Sequence, residues 1–237
     1  MLVIPAIDIR GGRAVRLTGG DFNRETVYGD DPVAIAQSHR AAGAWRIHVV
    51  DLDAALGRSG DNRAIVSRLV AETGAEVQVA GGIRDQATAE SWLGAGAAAV
   101  VMGTVAVRDP ELFAAVAGQH PEQVMGALDL RGATPQVSGW TDGEATAVEE
   151  LLASWEELPL AAVILTSVDR DGTLAGPDLE ALARTLVLTR HRVIYGGGIG
   201  SLDDVRAVAA AGAGGVIIGK AIYEGRLDLA AALASAD

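Results

Sequence analysis

Along this chain, short apolar runs rich in β-branched residues alternate with longer stretches in which apolar residues recur at helical spacing. The runs predict strands over Leu2–Ile7, Arg46–Val50, Glu76–Ala80, Ala98–Met102, Gln123–Leu130, Ala161–Leu165, Arg192–Tyr195 and Gly215–Ile218. The Ala-rich stretches predict helices over Asp31–Ala42, Asn62–Glu72, Asp85–Ala95, Pro110–Gln119, Ala147–Glu157, Asp178–Arg190, Leu202–Ala211 and Ala221–Ser235. Strict alternation of strand and helix implies a parallel sheet buried on both faces. Eight such units in 237 residues favour an α/β fold closed as a (β/α)8 TIM barrel, which usually takes ~250 residues, over an open doubly wound sheet. No Pro/Ser-rich linker divides the chain, so residues 1–237 read as a single domain. The main irregular stretch, Gly132–Thr146, is long and polar enough for a loop with a short extra hairpin.

The pattern also repeats. Gly81-Gly82-Ile83-Arg84 matches Gly197-Gly198-Ile199-Gly200, 116 residues on. Asp53 and Asp169, Gly60 and Gly176, Gly96 and Gly212, and Gly103 and Gly219 match at the same offset. At the front of each half, Ile7-Asp8-Ile9-Arg10-Gly11 matches Leu128-Asp129-Leu130-Arg131-Gly132, offset by 121. A single Gly-Gly match would mean nothing; a sustained offset indicates internally duplicated half-barrels.

Composition narrows the partners. The formal net charge is −12, which argues against a nucleic-acid partner. With only 19 Lys and Arg, an anionic ligand must be held largely by backbone N–H groups and helix N-termini. The absence of cysteine excludes disulfides and thiolate metal sites. Ala207–Gly219, the longest apolar and Gly run, is too short for a bilayer span. The amino end has no basic n-region and does not read as a signal peptide. The expectation is a cytoplasmic monomer with a small-molecule partner and no membrane contact.

Barrels of this type build their sites at the carboxyl ends of the strands, so polar residues closing an apolar strand are the ones to inspect. Asp8 closes VIPAID and Asp129 closes MGALD, on the first and fifth strands. The duplication sets them opposite each other across the mouth. Two carboxylates facing one substrate can divide the work, one taking a proton while the other gives one. Each could instead cap the turn that follows it. A second set is the Gly-rich strand ends: Gly81-Gly82 and Gly103-Thr104 in one half, Gly197-Gly198 and Gly219-Lys220 in the other. Glycine lets the backbone approach an anion, and the next helix aims free N–H groups at it. Tight turns would use the same glycines. Read as a duplicated pair, they indicate two phosphate sites and hence a bisphosphate substrate.

Other residues refine this picture. Asp171-Gly172-Thr173 follows the sixth strand, after Thr166; Gly172 could offer a backbone donor to the second phosphate, though Asp-Gly is also an ordinary turn. Arg16 and the Gly19-Gly20 pair sit in a long loop after the first strand, which could close over a ligand. Trp140 lies in the loop after the fifth strand and could stack on a planar heterocycle or simply fold its loop onto the rim. Trp45, Trp92 and Trp155 sit on or beside helical faces and read as packing residues. Asp51 and Asp53 close the second strand, but the four histidines show no ligand spacing, so no metal is expected. His48 reads as a packed barrel residue. No Ser/His/Asp arrangement, nucleotide-binding glycine motif or strand-ending lysine is present.

LVIPAIDIRGGRAVRL, HVVDLDAA, GGIR, VVMGT, ALDLRG…GW, DGTLAGPD, GGGI and VIIGKAIYEG together resemble one family. It is the histidine-biosynthesis isomerase acting on phosphoribosylformimino-5-aminoimidazole carboxamide ribotide (ProFAR). The resemblance runs from Met1 to about Ala232. It implies a (β/α)8 barrel and a cofactor-free Amadori rearrangement of the aminoaldose ProFAR to the aminoketose PRFAR. Carried over by position, Asp8 resembles the general base and Asp129 the general acid. The acid would protonate the ribose ring oxygen and help open the ring to a Schiff base; the base would then remove the C2′ proton. Asp171 contends for the acid role, with Thr166 positioning substrate. Gly82, Gly103 and Thr104 resemble one phosphate site, and Gly172, Gly198 and Gly219 the other; Arg16 and Gly20 would close over the ligand. The sister cyclase of the pathway usually flanks the first Asp with Lys and Cys, whereas this chain has Pro5-Ala6-Ile7-Asp8. Bifunctional actinobacterial relatives also isomerise phosphoribosyl anthranilate. They typically carry an Arg two residues before the loop Trp, where this chain has Ser138. A non-catalytic bisphosphate-binding barrel would need no pair of aspartates.

Overall fold

The structure, a computed structural model, describes residues 1–57 and 62–235. In chain order the strands are β1 (Leu2–Arg10), β2 (Arg13–Thr18), β3 (Asp21–Gly29), β4 (Arg46–Asp51), β5 (Glu76–Ala80), β6 (Ala99–Met102), β7 (Val124–Arg131), β8 (Thr134–Val137), β9 (Asp142–Gly143), β10 (Ala162–Ser167), β11 (Val193–Gly196) and β12 (Gly215–Ile218). The helices are α1 (Pro32–Ala41), α2 (Leu52–Ala55), α3 (Arg63–Glu72), α4 (Gln86–Gly94), α5 (Thr104–Arg108), α6 (Pro110–Gln119), α7 (Val148–Trp155), α8 (Leu179–Leu188), α9 (Leu202–Ala210), α10 (Lys220–Tyr223) and α11 (Leu229–Ala234). Eight strands among the described residues pair in parallel in the order β1-β4-β5-β6-β7-β10-β11-β12, and β12 returns to β1. The sheet is thereby closed, as the eight-unit pattern predicts, and it has no free edge.

Alternation along each strand sorts the core into two layers. Ile4, Ala99, Val101, Met125, Ile164 and Ile194 fill the barrel interior. Ile47, Val49, Val77, Val79, Leu165 and Val193 face outward and pack against the helices. Part of the acidic excess works at the helix starts: Asp31, Asp85, Asp109, Asp178 and Asp228 each accept a first-turn backbone N–H. Among the described residues no helix is long and apolar enough to cross a membrane.

The duplication is written in contacts. Gly11 N–H donates to Asp53 at 2.7 Å, and Gly132 N–H donates to Asp169 at 3.0 Å. Ala98 N–H meets Val77 O at 2.8 Å, and Gly214 N–H meets Val193 O at 2.8 Å. β2 pairs antiparallel with the end of β1 through Arg10 and Arg13, and β8 pairs with the end of β7 through Arg131 and Thr134. Gly60, matched to Gly176 in the repeat, lies outside the described residues.

Three expectations need correction. The loop after the first strand is a hairpin, β2–β3, and Arg16 lies within β2 while Gly19-Gly20 makes its turn. Tyr28 of this hairpin stacks on Tyr223 at 4.7 Å and donates to Glu224, which fixes the hairpin to the barrel. The single helix expected over Ala221–Ser235 is two, α10 and α11; Gly225 has φ of 64° and Asp228 caps a new start. Trp92 and Trp155 are buried, but Trp45 is 45 % exposed, outside any helix, with the Arg46 guanidinium over its ring. The extra hairpin expected within Gly132–Thr146 is present as β8–β9.

Candidate active site

At the carboxyl ends of the strands the inward residues become small. Ala80, Ala127 and Gly196 leave a cavity that the interior core does not fill. All of Asp8, Arg16, Gly20, Gly82, Gly103, Thr104, Asp129, Trp140, Thr166, Asp171, Gly172, Gly198 and Gly219 line it.

Asp8 points from β1 and accepts from Arg16 Nη1 at 2.8 Å. Arg16 also reaches Asp171, Nη2 to Oδ1 at 3.5 Å. Burial pushes the Asp8 carboxyl up to about 6; Arg16 opposes the shift and Asp171 adds to it. Asp129 has different company. The Trp140 indole N–H donates to it at 2.8 Å, and Thr166, its register neighbour on β10, supplies a hydroxyl. Burial raises its pKa, and these neutral donors oppose the rise only in part. Burial also raises Asp171, against Arg16, the Gly172 N–H and Lys220. One carboxyl therefore sits beside a guanidinium, and the other is held among neutral donors.

Two glycine cradles flank the aspartates. Gly81 has φ of 95° and Gly197 φ of 103°, and a Cβ on either would strike a strand carbonyl, Asp51 O or Ser167 O. Only glycine permits both the dihedral and the approach. Each cradle is completed by a short helix, α5 after Gly103 and α10 after Gly219, and neither helix start carries a side-chain cap. Free first-turn N–H groups opening into a cavity suit an anion. In the second cradle Lys220 donates to Gly172 O at 2.9 Å, and the Arg16 guanidinium lies where a Cβ on Gly219 would be.

The β2–β3 hairpin covers this arrangement. Gly19 N–H donates to Asp171 O at 2.9 Å, and Gly20 packs so closely on the Trp140 ring that a Cβ would not fit. The β8–β9 region is tied in from the other side, with Ser138 N–H donating to the Thr104 hydroxyl at 2.9 Å. Two carboxyls set between two glycine-lined helix starts could move protons on a substrate held at both ends.

A family profile described as histidine biosynthesis protein matches residues 2–228. The chain belongs to this family. It is 45 % identical over 236 residues to a protein of Dinoroseobacter shibae, covering 99 % of this chain and 98 % of that one. It is 47 % identical over 226 residues to one of Deinococcus radiodurans, covering 95 % and 94 %. A Thermus thermophilus protein is 44 % identical over 230 residues, covering 97 % of each. All three are named isomerases of 1-(5-phosphoribosyl)-5-((5-phosphoribosylamino)methylideneamino)imidazole-4-carboxamide.

Within this family member, the pattern along the chain passed over several cavity residues. His48, expected to be packing, is buried but also lines the cavity. Whether a strand residue points in or out depends on register, which one sequence does not give. Arg84 stands at the rim and donates to Ala55 O at 2.6 Å; its signal was present, since it breaks the repeat opposite Gly200. Asp51 and Asp53 are absorbed by structure. Asn62 donates to both, at 2.8 and 2.9 Å, and Asp51 caps α2.

Proposed function

We propose that this chain, whose relatives are named isomerases of that phosphoribosyl imidazole carboxamide, converts ProFAR to PRFAR by a cofactor-free Amadori rearrangement in histidine biosynthesis. The observation that carries this reading is the placement of Asp8 and Asp129 on opposite sides of one cavity, on β1 and β7, between two matched glycine cradles. Gly82, Gly103 and Thr104 hold one phosphate; Gly172, Gly198 and Gly219 hold the other, with Arg16 and Lys220 as the local cations. Trp140 at the mouth offers a stacking face to the imidazole. The hairpin tip at Gly20 keeps water out.

Asp129 is the general acid. Burial raises its pKa, and the neutral Trp140 and Thr166 donors offset that rise only in part, so Asp129 is the carboxyl suited to deliver a proton to the ribose ring oxygen. The ring opens to an iminium. Asp8, raised to about 6 and so ionised near neutrality, removes the C2′ proton, and the electron pair moves to the iminium nitrogen. The enaminol then takes a proton at C1′ and loses its hydroxyl proton to give the ketone. Asp171 is the weaker acid candidate, because Arg16 and Lys220 both favour its ionised form. Thr166 orients Asp129.

A single substrate fits best. The Arg108 guanidinium does reach Ser138 Oγ at 3.1 Å, but it is also engaged by Glu144 and Asp142, so it offers no free charge to an anthranilate carboxylate. Steady-state assays on ProFAR and phosphoribosyl anthranilate test this directly. Turnover of the first alone is expected. Comparable rates on both would restore the bifunctional reading, and tight binding of ProFAR without turnover would leave only a binding barrel. We read the chain as one barrel domain acting as a cytoplasmic monomer, which sedimentation at micromolar concentration would check.

A further inference from the structure

His48 stands in the cavity floor just below the base. Strand register sets Ala6 beside His48 and Asp8 beside Val50, so His48 is one inward position deeper on β4. The floor around it is apolar: Ala6, Val50, Ala80, Val101, Ala127 and Ile164. A polar side chain in such surroundings costs free energy unless it is hydrogen-bonded. His48 Nδ1 has one partner, Gln78 Nε2 on the adjacent strand, at 2.9 Å, and both residues are buried. The Gln78 amide nitrogen, so oriented, donates, and the tautomer that matches it has Nδ1 accepting and the ring proton on Nε2. That N–H has no hydrogen-bond partner among the described residues, although the ring lines the cavity. Gln78 Oε1 is buried and also without a partner. Packing alone would be served better by two aliphatic side chains. Burial, with Arg16 nearby, pushes the imidazole down to about 3, so the ring is a neutral donor at physiological pH.

The Amadori rearrangement turns the C2′ hydroxyl into a carbonyl: the C2′ proton leaves with its electron pair passing to the iminium nitrogen, and negative charge gathers on the C2′ oxygen in the next step, as the enaminol hydroxyl gives up its proton and C1′ is protonated. We propose that His48 donates an Nε2–H hydrogen bond to the substrate C2′ oxygen, and that Gln78 is the positioning residue that sets its tautomer. This proposal rests on the isomerase reading above. The hydrogen bond strengthens as charge develops, which is where a preorganised donor accelerates a reaction. No proton leaves His48, and being neutral it adds no second cation beside Arg16.

The test pairs kinetics on ProFAR with 15N NMR of the His48 ring. In the wild type, Nδ1 should show as unprotonated and Nε2 as protonated. His48→Leu should lower kcat about a hundredfold, the scale of one lost transition-state donor, and leave KM within about twofold. His48→Gln keeps an N–H donor and should recover about tenfold of that loss. Gln78→Glu replaces the donor by an acceptor; it should move the ring proton to Nδ1, turn Nε2 into an acceptor, and lower kcat without unfolding the barrel. If His48→Leu fails to fold, His48→Gln and Gln78→Glu decide. A wild-type ring protonated on Nδ1, or a folded His48→Leu with near-normal kcat, overturns the proposal. A wild type that does not turn over ProFAR refutes the isomerase reading itself, and this role with it.

Discussion

The two halves of the barrel share a frame and differ in charge. Asp8 and Asp129 hold matched positions, each followed by a hairpin paired in the same register. Yet the residue 121 places after Arg16 is Val137, so Asp8 meets a guanidinium while Asp129 meets an indole N–H and a hydroxyl. The cradles diverge likewise: Lys220 stands where the first half has Thr104, and Gly200 where it has Arg84. Duplication thus accounts for where the carboxyls and glycines are. On the proposed reading, the later side-chain differences decide which carboxyl takes a proton and which gives one.

The hardest way to break that division is to neutralise each carboxyl in turn. Asp8→Asn should lower kcat on ProFAR by about 10⁴-fold and Asp129→Asn by about 10³-fold, near the top of what acid–base groups contribute. Asp171→Asn should cost only about tenfold, since its part is to hold Arg16. Calorimetric titration with ProFAR should find binding retained in all three. A larger loss for Asp171→Asn than for Asp129→Asn would move the acid role to Asp171.

A second contrast concerns stability. The matched bonds from Gly11 to Asp53 and from Gly132 to Asp169 sit in unlike settings. Asp53 is buried with Asn62, which is 1 % exposed and also donates to Asp51. Asp169 is at the surface with Arg131. Removing a buried donor leaves two carboxyls short of a partner, so Asn62→Ala should cost about 2–3 kcal/mol in urea unfolding. Arg131→Ala should cost less than about 0.5 kcal/mol. Equal costs would mean that the two bonds are not buried to the different degrees described.

These contrasts also mark what the chain reveals unaided. The order of the eight units was legible because parallel strands buried on both faces are continuous apolar runs, and the cradles were legible because glycine repeats survive at a fixed offset. The β2–β3 hairpin was not: Asp21–Gly29 is polar and mostly exposed, so it lacks an alternating face, and its pairing depends on contacts far along the chain. Helices of four or five residues, α2, α5 and α10, are too short for a 3.6-residue period to register. Trp140 could be placed in the right loop, but its bond to Asp129 and its packing on Gly20 are tertiary facts. His48 needed strand register before it could be turned inward.

The cradles offer a smaller test. A Cβ on Gly103 would meet only the Ala127 methyl at an ordinary 3.5 Å, whereas one on Gly219 would collide with the Arg16 guanidinium. Neither glycine has a positive φ, so space alone should separate them. Gly103→Ala should leave thermal stability nearly unchanged, while Gly219→Ala should cost about 1–2 kcal/mol by overpacking and displace Arg16 from Asp8. Similar melting shifts for the two would show that Arg16 yields freely.

The finest distinction lies in the pH dependence of kcat/KM, which reports the free enzyme. Asp8 must be ionised to accept a proton. Burial raises it to about 6, so the rate should climb as pH rises through about 6 and fall roughly tenfold per unit below it. Arg16 opposes the rise; Arg16→Met should therefore move this acid limb to higher pH. Asp129 must instead keep its proton, and the Trp140 N–H favours its ionised form. Trp140→Phe removes that donor and should move the alkaline limb upward while leaving the acid limb in place. Each half would then answer to its own partner, Arg16 for the base and Trp140 for the acid. If either substitution moved both limbs equally, the carboxyls would titrate as one coupled unit, and the division of roles between the halves would fail.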